Sequence, residues 1–406
     1  MDQTYYRKGF GLKREIQGAL SSDYHSGVVE AIRANDYRLD AGPLQFRLAR
    51  EFGFCYGVDR AVEYAYETRR KFPDRRIFLV GEIIHNPHVN RKLEEMGIVF
   101  LRQGPDGRFD FSVVDSADVV ILPAFGVTIH DFERLRDVGC VLVDTTCGSV
   151  LNVWKRVESY ARDGFTAVIH GKHYHEETKA TASQVRKYPG GRYLIVLNMD
   201  EARLVCDFIE GRSGADTLAG AFTEAVSPAF DFERDLVRVG VANQTTMLSG
   251  ESLAIAGEFR ASLIKRYGAA EIDGHFRTFD TICSATQERQ DAVMELLDSP
   301  PDLMVVVGGF NSSNTHHLAS IGAERGVPTY HIADAACIDP DTGVLRHQEM
   351  KGKTRAEARD WLEGVTTIGI TAGASTPNNK VGETVERICR LAGVDLEEAL
   401  AAVTAE

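Results

Sequence analysis

Short runs of apolar, often β-branched residues alternate along this chain with longer segments whose apolar residues recur at helical spacing. The short runs are continuously apolar, which is typical of strands buried on both faces of a parallel sheet. The segments between them, such as 59–72 and 284–297, have charged faces and predict helices. Strands are predicted at 77–81, 119–125, 141–146, 166–171, 193–198, 237–243, 303–309, 328–333 and 367–373. Alternation of such strands with helices predicts an α/β fold.

Three cysteines, Cys55, Cys147 and Cys283, share one local context. Each follows a short β-like or glycine-containing stretch and opens a predicted helix. A helix N-terminus offers free amides and the positive end of the helix dipole, which lowers the pKa of a thiol and stabilises a thiolate. Three thiolates at one point would suit an iron–sulfur cluster or a zinc ion. No CxxC pair is present, so spacing leaves both interpretations open.

The intervals between these cysteines are each long enough for one small α/β domain. We therefore predict an N-terminal extension at 1–45, which contains at least one helix near 21–35, and a C-terminal tail at 394–406. The three predicted domains are 46–147, 148–282 with an insertion near 210–235, and 283–393.

Polar residues follow several predicted strands. His85 comes shortly after the strand at 77–81, and His170, His173, His175, Glu176 and Glu177 end or follow the strand at 166–171. Open α/β sheets bind ligands outside the carboxyl ends of their strands, so these side chains are candidate site residues.

Two later loops place hydroxyl and amide groups at predicted helix starts. One carries Ser312, Ser313 and Asn314, and the other carries Ser375. Such loops form anion cradles, although ordinary N-capping explains either loop by itself. The polar segment 243–246 ends another strand. Neither a P-loop nor a GxGxxG fingerprint is present, so a phosphate or diphosphate ligand is favoured over a nucleotide.

Composition and charge exclude several classes of binding partner. The 406 residues include 46 basic and 59 acidic ones, for a net charge of −13, which argues against nonspecific binding to nucleic acid or an anionic membrane. No apolar run reaches membrane-spanning length, and the first residues lack the apolar core of a secretion signal, so a cytoplasmic location is expected. Seven scattered cysteines do not indicate a disulfide framework. Ordinary buried thiols are expected at Cys140, Cys206, Cys337 and Cys389.

Seven segments, in chain order, resemble the 4-hydroxy-3-methylbut-2-enyl diphosphate reductase (LytB/IspH) family, in its cyanobacterial and plant branch. They are GFCYGVDRA, GEIIHN, DTTC, HEET, NQTT, NSSN and TAGAS, and the resemblance runs from about 46 to 393. It implies three small α/β domains in a pseudo-threefold trefoil around a central iron–sulfur cluster. It also implies reductive dehydroxylation of (E)-4-hydroxy-3-methylbut-2-enyl diphosphate to isopentenyl and dimethylallyl diphosphate, the last step of the methylerythritol phosphate (non-mevalonate) pathway.

The resemblance also implies roles for residues. Cys55, Cys147 and Cys283 would ligate one [4Fe–4S] cluster whose fourth iron is open to substrate. Glu177 would deliver a proton, with Thr245 beside the substrate hydroxyl. The implied substrate-binding set is His85, His175, Thr245, Ser312, Ser313, Asn314 and Ser375. The implied electron donor is ferredoxin or flavodoxin, with no nucleic-acid or membrane partner.

Two departures from the family pattern concern the same site. Phe125 stands where the common bacterial form has a third pocket histidine, so Lys172 or His173 could supply a replacement donor. The common form reads His-Pro-Glu where this chain has two adjacent glutamates; alignment favours Glu177 as the acid over Glu176.

Two other functional classes fit part of the pattern. A zinc hydrolase acting on a phosphorylated substrate would be colourless and insensitive to oxygen. A non-catalytic iron–sulfur sensor would carry a cluster without turnover, but the Glu177 and Thr245 pair and the acidic net charge disfavour it.

Overall fold

The computed structural model describes residues 4–279, 281–350 and 354–404. In these residues the strands, in chain order, are β1 (Tyr5–Tyr6), β2 (Arg38–Ala41), β3 (Leu44–Leu48), β4 (Ile77–Val80), β5 (Ile98–Leu101), β6 (Val119–Leu122), β7 (Val141–Asp144), β8 (Thr166–His170), β9 (Tyr193–Val196), β10 (Val239–Asn243), β11 (Phe276–Thr278), β12 (Leu303–Val307), β13 (Thr329–Ile332), β14 (Leu345–Gln348), β15 (Arg355–Ala358) and β16 (Thr367–Ala372).

The helices of the same residues are α1 (Lys13–Tyr24), α2 (Gly27–Ala34), α3 (Tyr56–Lys71), α4 (Pro87–Glu95), α5 (Ile129–Val138), α6 (Gly148–Arg162), α7 (Glu176–Ser183), α8 (Met199–Ile209), α9 (Ala215–Ala221), α10 (Phe232–Asp235), α11 (Ser249–Tyr267), α12 (Ile272–His275), α13 (Ser284–Leu297), α14 (Ser313–Glu324), α15 (Asn378–Leu391) and α16 (Leu396–Thr404). All nine predicted strands and the predicted helices between them are present. None of the helices described is long and apolar enough to span a bilayer.

The chain divides into two compact units, which are described separately. Unit 1 comprises Met1–Lys8, Asp74–Ile83 and Val99–Cys283. Unit 2 comprises Gly9–Pro73, Ile84–Ile98 and Ser284–Glu406.

Unit 1 contains a sheet in the order β1-β7-β6-β4-β5 and a second sheet in the order β11-β10-β8-β9. Every neighbouring pair in the second sheet is parallel. The register pairs Asn243 at the end of β10 with His170 at the end of β8. The two polar segments that follow these strands therefore leave the sheet side by side.

Helix α6 packs against β10 of the second sheet and fixes the position of this strand. Tyr160 of α6 is fully buried, and its hydroxyl donates to the Val241 carbonyl at 2.8 Å. Its ring occupies the space where a side chain at Gly240 would project, since a Cβ there would lie 2.5 Å from the ring. A glycine in mid-strand is therefore required by close approach of the aromatic ring rather than by a turn.

Unit 2 contains one sheet in the order β15-β14-β13-β12-β16-β3-β2. Its centre is parallel, with β12 between β13 and β16, and β16 beside β3. Antiparallel pairs complete both edges: β14 with β13 and β15, and β2 with β3. The polar loops after β12 and β16 begin at neighbouring strand ends, because these two strands pair in parallel.

The α/β class with largely parallel sheets is confirmed, and the described residues form three sheets. The predicted domain boundaries remain a proposal, and the sheets distribute some segments differently. Strand β3 crosses the predicted boundary at 45/46, and it pairs with β16 of the last predicted domain. From the predicted extension, β1 joins the sheet of β7, whereas β2 joins that of β3.

Two local predictions are refined by the structure. The helix expected near 21–35 is interrupted, because Ser26 caps α2 by accepting from the Val29 amide at 3.3 Å. The insertion near 210–235 is more than a surface excursion, since Leu218 and Phe222 are buried in the core of the second sheet.

Candidate active site

Glu177 and Thr245 form a buried pair at the adjacent ends of β8 and β10. One carboxylate oxygen of Glu177 accepts from the Thr245 amide at 2.6 Å, and the other accepts from the Thr245 hydroxyl at 2.9 Å. Both residues are buried, whereas the neighbouring Glu176 is exposed. The carboxyl group is thus one hydrogen bond away from a hydroxyl that can relay a proton.

Gln244 connects the two segments that carry this pair. Its side-chain oxygen accepts from the Lys172 amide at 3.1 Å and from the Thr178 hydroxyl at 3.0 Å. A Cβ at Gly171 would lie only 3.0 Å from Gln244 and from Thr178, so glycine allows this close approach. The network fixes the start of α7 relative to the end of β10.

His175 is the N-cap residue of α7, and a hydrogen bond to the backbone of that helix orients its imidazole ring. Its Nδ1 accepts from the Glu177 amide at 3.1 Å, which places the proton of the neutral ring on Nε2. The Nε2–H is therefore the group that can donate to an anionic ligand. Phe125 contacts this imidazole edge-on, with ring centroids 5.6 Å apart. Where a third histidine was expected in related proteins, this chain supplies an apolar support for His175.

The two proposed replacement donors differ in their surroundings. Lys172 is buried, while His173 is partly exposed and its Nδ1 lies 3.9 Å from a carboxylate oxygen of Glu224. The role of either residue as a donor remains a prediction.

Two of the three candidate ligand cysteines belong to unit 1 and meet at one helix start. Cys147 is the N-cap residue of α6, and the Cys283 thiol contacts the Ser149 hydroxyl, with Sγ and Oγ 3.4 Å apart. The approach of Cys283 is guided by Thr281, whose hydroxyl donates to the Asn243 side-chain oxygen at the end of β10. The fold therefore brings these two cysteines to the same helix N-terminus.

A buried carboxylate, Asp144, shapes the turn before Cys147. It accepts from the Thr146 amide at 3.0 Å and hydroxyl at 2.5 Å, and from the Tyr5 hydroxyl at 2.5 Å. Burial and the neighbouring carboxylate raise the pKa of Tyr5. The sequence prediction did not single out Asp144, although its position at a strand end before two threonines was a usable signal.

Of the four cysteines expected to be ordinary buried thiols, Cys140, Cys206 and Cys389 are buried, but Cys337 is partly exposed and the expectation was wrong there. Burial raises the pKa of Cys140 and Cys389 to about 11 and that of Cys206 to about 12, so these thiols stay protonated at neutral pH. Cys55, Cys147, Cys283 and Cys337 are partly exposed.

In unit 2, Cys55 is the N-cap residue of α3. Its amide donates to the Ala374 carbonyl at 3.1 Å, and the Gly53 amide donates to the Ala372 carbonyl at 3.3 Å. The segment before the helix is thereby attached to β16 and to the loop that carries Ser375.

The polar loops after β12 and β16 are joined by Asn314. Its side-chain oxygen accepts from the Ala374 amide at 2.8 Å. Its Nδ2 is buried and has no hydrogen-bond partner within the described residues. An unmatched buried donor is costly unless a ligand accepts from it, so Asn314 fits an anion-binding role.

Ser312, Ser375 and His85 occupy the same unit. Ser312 caps α14 by accepting from the Thr315 amide at 3.3 Å, as the capping alternative predicted. The Ser375 hydroxyl contacts the His85 carbonyl, with the oxygens 3.4 Å apart. The Gly309 backbone packs so closely on the same carbonyl that a side chain there would collide with it. The segment carrying His85 is thus held beside both polar loops.

With this geometry established, comparison with known proteins identifies the family. A sequence model described as "LytB protein" matches residues 46–389. This chain belongs to the LytB protein family. Curated LytB relatives named 4-hydroxy-3-methylbut-2-enyl diphosphate reductase include one from Gloeobacter violaceus, 48% identical over 99% of this chain and 96% of that protein. Another, from Acaryochloris marina, is 46% identical over 97% of this chain and 96% of that protein.

Solved structures support the same assignment. The structure of (E)-4-hydroxy-3-methyl-but-2-enyl diphosphate reductase, the terminal enzyme of the non-mevalonate pathway, matches with 28% identity and a TM-score of 0.51. The match covers 84% of this chain and 98% of that one. The E-1-hydroxy-2-methyl-but-2-enyl-4-diphosphate reductase from Plasmodium falciparum shares the fold, with a TM-score of 0.61 at 23% identity over 84% of this chain and 86% of that one. The family resemblance inferred from the seven motifs is confirmed, and LytB proteins are iron–sulfur enzymes.

Proposed function

We propose that this chain catalyses the reductive dehydroxylation of (E)-4-hydroxy-3-methylbut-2-enyl diphosphate to isopentenyl and dimethylallyl diphosphate. The reaction consumes two electrons and two protons and releases water. The observation that carries the proposal is the buried Glu177–Thr245 pair, which couples a carboxyl group to a hydroxyl within a chain related over nearly its full length to such reductases.

The cofactor we propose is one [4Fe–4S] cluster held by Cys55, Cys147 and Cys283, with the fourth iron open to substrate. The donor set fits this group: two of the cysteines meet at the N-terminus of α6, and the third caps α3. Helix N-termini favour thiolates and the anionic cluster they hold. When bound, such a cluster would pass the two electrons on from the donor one at a time and would supply a Lewis-acidic iron for the leaving oxygen.

Binding of the diphosphate is assigned to His85, His175, Ser312, Ser313, Asn314 and Ser375, as the family pattern implies. Two of them are supported by local contacts. The Nδ1 of His175 accepts from the Glu177 amide, which orients the imidazole, and the Nδ2 of Asn314 is a buried donor that a phosphate oxygen can satisfy. Hydroxyl and amide donors can bind an anion even though the chain has a strongly negative net charge.

Proton delivery is assigned to Glu177 acting through Thr245. A protonated Glu177 donates to the Thr245 oxygen, and the Thr245 hydroxyl donates its own proton to the departing oxygen. Glu176 is exposed and Glu177 is buried against Thr245, which favours Glu177 for this role. Ferredoxin or flavodoxin remains the proposed source of electrons.

Iron, acid-labile sulfide and zinc on anaerobically purified protein test the cofactor. The proposal predicts a brown protein with about four irons and four sulfides per chain. Reduction of the diphosphate with reduced methyl viologen then separates an enzyme from a cluster-bearing sensor. Colourless protein with stoichiometric zinc and no sulfide would instead support a hydrolase.

The variant Glu177→Gln tests the acid. It keeps the size and hydrogen-bonding capacity of the side chain but removes the transferable proton, so turnover should fall by about 100-fold or more while iron content is retained. Glu176→Gln is the matched control on the adjacent, exposed position and should retain turnover. Wild-type turnover in Glu177→Gln would remove this residue from the mechanism.

A further inference from the structure

Arg289 is a buried cation in α13 that the mechanism above does not use. Its side chain is 3% exposed. The guanidinium donates to the Gly53 carbonyl from Nε at 3.2 Å and from Nη2 at 2.9 Å. Nη2 also donates to the Phe54 carbonyl at 3.2 Å, and Nη1 donates to the Ala285 carbonyl at 2.8 Å.

These acceptors are all neutral. Among the residues that the structure describes, no carboxylate pairs with Arg289. A buried charge is costly unless it is both hydrogen-bonded and compensated. Carbonyl oxygens satisfy the donors of the guanidinium but carry no net charge, so the positive charge has no formal counter-charge among the described side chains.

The residues that supply these carbonyls are close in the chain to two of the proposed cluster ligands. Gly53 and Phe54 immediately precede Cys55, and Ala285 lies two residues after Cys283. Arg289 therefore ties the backbone that leads into one proposed cluster ligand to the first turn of the helix that follows another.

The segment before Cys55 is also held independently of Arg289. Its amides donate to β16 and the following loop, as described above, and Gly53 has a φ of +79°, where a Cβ would lie 2.6 Å from the Asn378 side chain. The backbone of this segment is thus fixed so that the Gly53 and Phe54 carbonyls can both accept from one planar donor group. A guanidinium, with several donors in fixed directions, matches two successive carbonyls, and an ammonium does not.

We propose that Arg289 is a positioning residue for the iron–sulfur cluster: it holds the Cys55 segment to the start of α13, and its charge is balanced by the anionic cluster. The inference rests on the proposed function. It has two consequences. Loss of the guanidinium speeds release of the cluster, and loss of the positive charge disfavours the reduced, more negative state and so lowers the reduction potential.

The test compares Arg289→Gln, which removes the charge, with Arg289→Lys, which keeps the charge but not the planar set of donors. Arg387→Gln is the matched control, because Arg387 lies in the same unit and donates from Nη1 to the Ile338 carbonyl at 2.9 Å. Each cluster-loaded protein is assayed for the rate of iron loss to an excess chelator and for reduction potential by anaerobic titration. Thermal melting of each apo-protein reports on folding alone.

The expected result is cluster loss about 10-fold faster or more in both Arg289 variants, with apo-protein melting close to that of the wild type. The reduction potential should fall in Arg289→Gln but stay near the wild-type value in Arg289→Lys, and the Arg387 variant should match the wild type in both measurements.

Unchanged cluster loss and potential in Arg289→Gln would overturn the inference. If that variant does not fold, unchanged cluster loss in Arg289→Lys does so instead. If the variants lose apo-protein stability as well as the cluster, or if neither variant folds, Arg289 is a structural residue. That result would also overturn the inference. A wild-type protein without iron and sulfide would refute the proposed cofactor, which is a separate outcome.

Discussion

Stability should depend on pH through His170, the last residue of β8. Its side chain is fully buried, with Nδ1 2.8 Å from the Ser252 hydroxyl. Burial lowers the pKa of this imidazole from 6.5 to about 4, because the charged ring would lose its hydration. In the unfolded chain the ring is hydrated and has its ordinary pKa.

The sign of the effect follows from proton uptake. Between pH 6.5 and about 4 the unfolded chain binds a proton at His170 and the folded chain does not, so the free energy of unfolding falls as the pH falls. The contribution is fully present above pH 6.5. For these two pKa values, lowering the pH from about 7 to about 5 removes about 2 kcal/mol. The full loss, about 3 kcal/mol, is reached near pH 4.

Urea denaturation at pH 7 and pH 5, followed by tryptophan fluorescence, measures this loss, and Trp154 lies in the same unit as His170. His170→Gln keeps a polar partner for Ser252 but does not titrate, so its pH dependence should be shallower than that of the wild type by about 2 kcal/mol. His173→Gln, at a partly exposed position, should retain the wild-type dependence.

His331 in unit 2 is also fully buried, with its pKa lowered to about 4, and destabilises all three proteins alike at low pH. It therefore cancels from the comparison. Equal pH dependence in wild type and His170→Gln would refute the reasoning, because it would mean that the folded protein protonates His170 as readily as the unfolded chain does.

Three further predictions concern the site and its support. Serine at any one of the three proposed cluster ligands should lower iron content, whereas Cys206→Ser, at a fully buried thiol, should leave it unchanged; iron analysis decides. Thr245→Val should lower kcat by about 100-fold with the cluster retained, and Thr245→Ser should restore most of it, since only the hydroxyl relays the proton. Gly240→Ala should destabilise the protein by about 1–3 kcal/mol, because its Cβ would meet the Tyr160 ring, and thermal melting should show it. Gly257→Ala in α11, where nothing lies within 4 Å, is its control.

The sequence alone determined the α/β class and most of the elements. Continuous apolar runs such as 303–309 have no polar face to expose, which favours strands within covered sheets. The helix starts at Cys55, Cys147 and Cys283 were also predicted, because strand-to-helix turns leave a local signature in residue type. Both signals depend on neighbours within a few residues, which is why the sequence carries them.

The tertiary structure decided what depends on pairing between distant segments. Strand β3, at the start of the first predicted domain, joins β16 of the last one, and no local pattern records that choice. The register of β8 with β10 places Glu177, rather than Glu176, against Thr245. Hydrogen bonds from Arg289 to Gly53 link residues far apart in the chain. Such contacts follow from the geometry of the packed chain, where the requirement to satisfy every buried donor and charge selects partners that residue order does not specify.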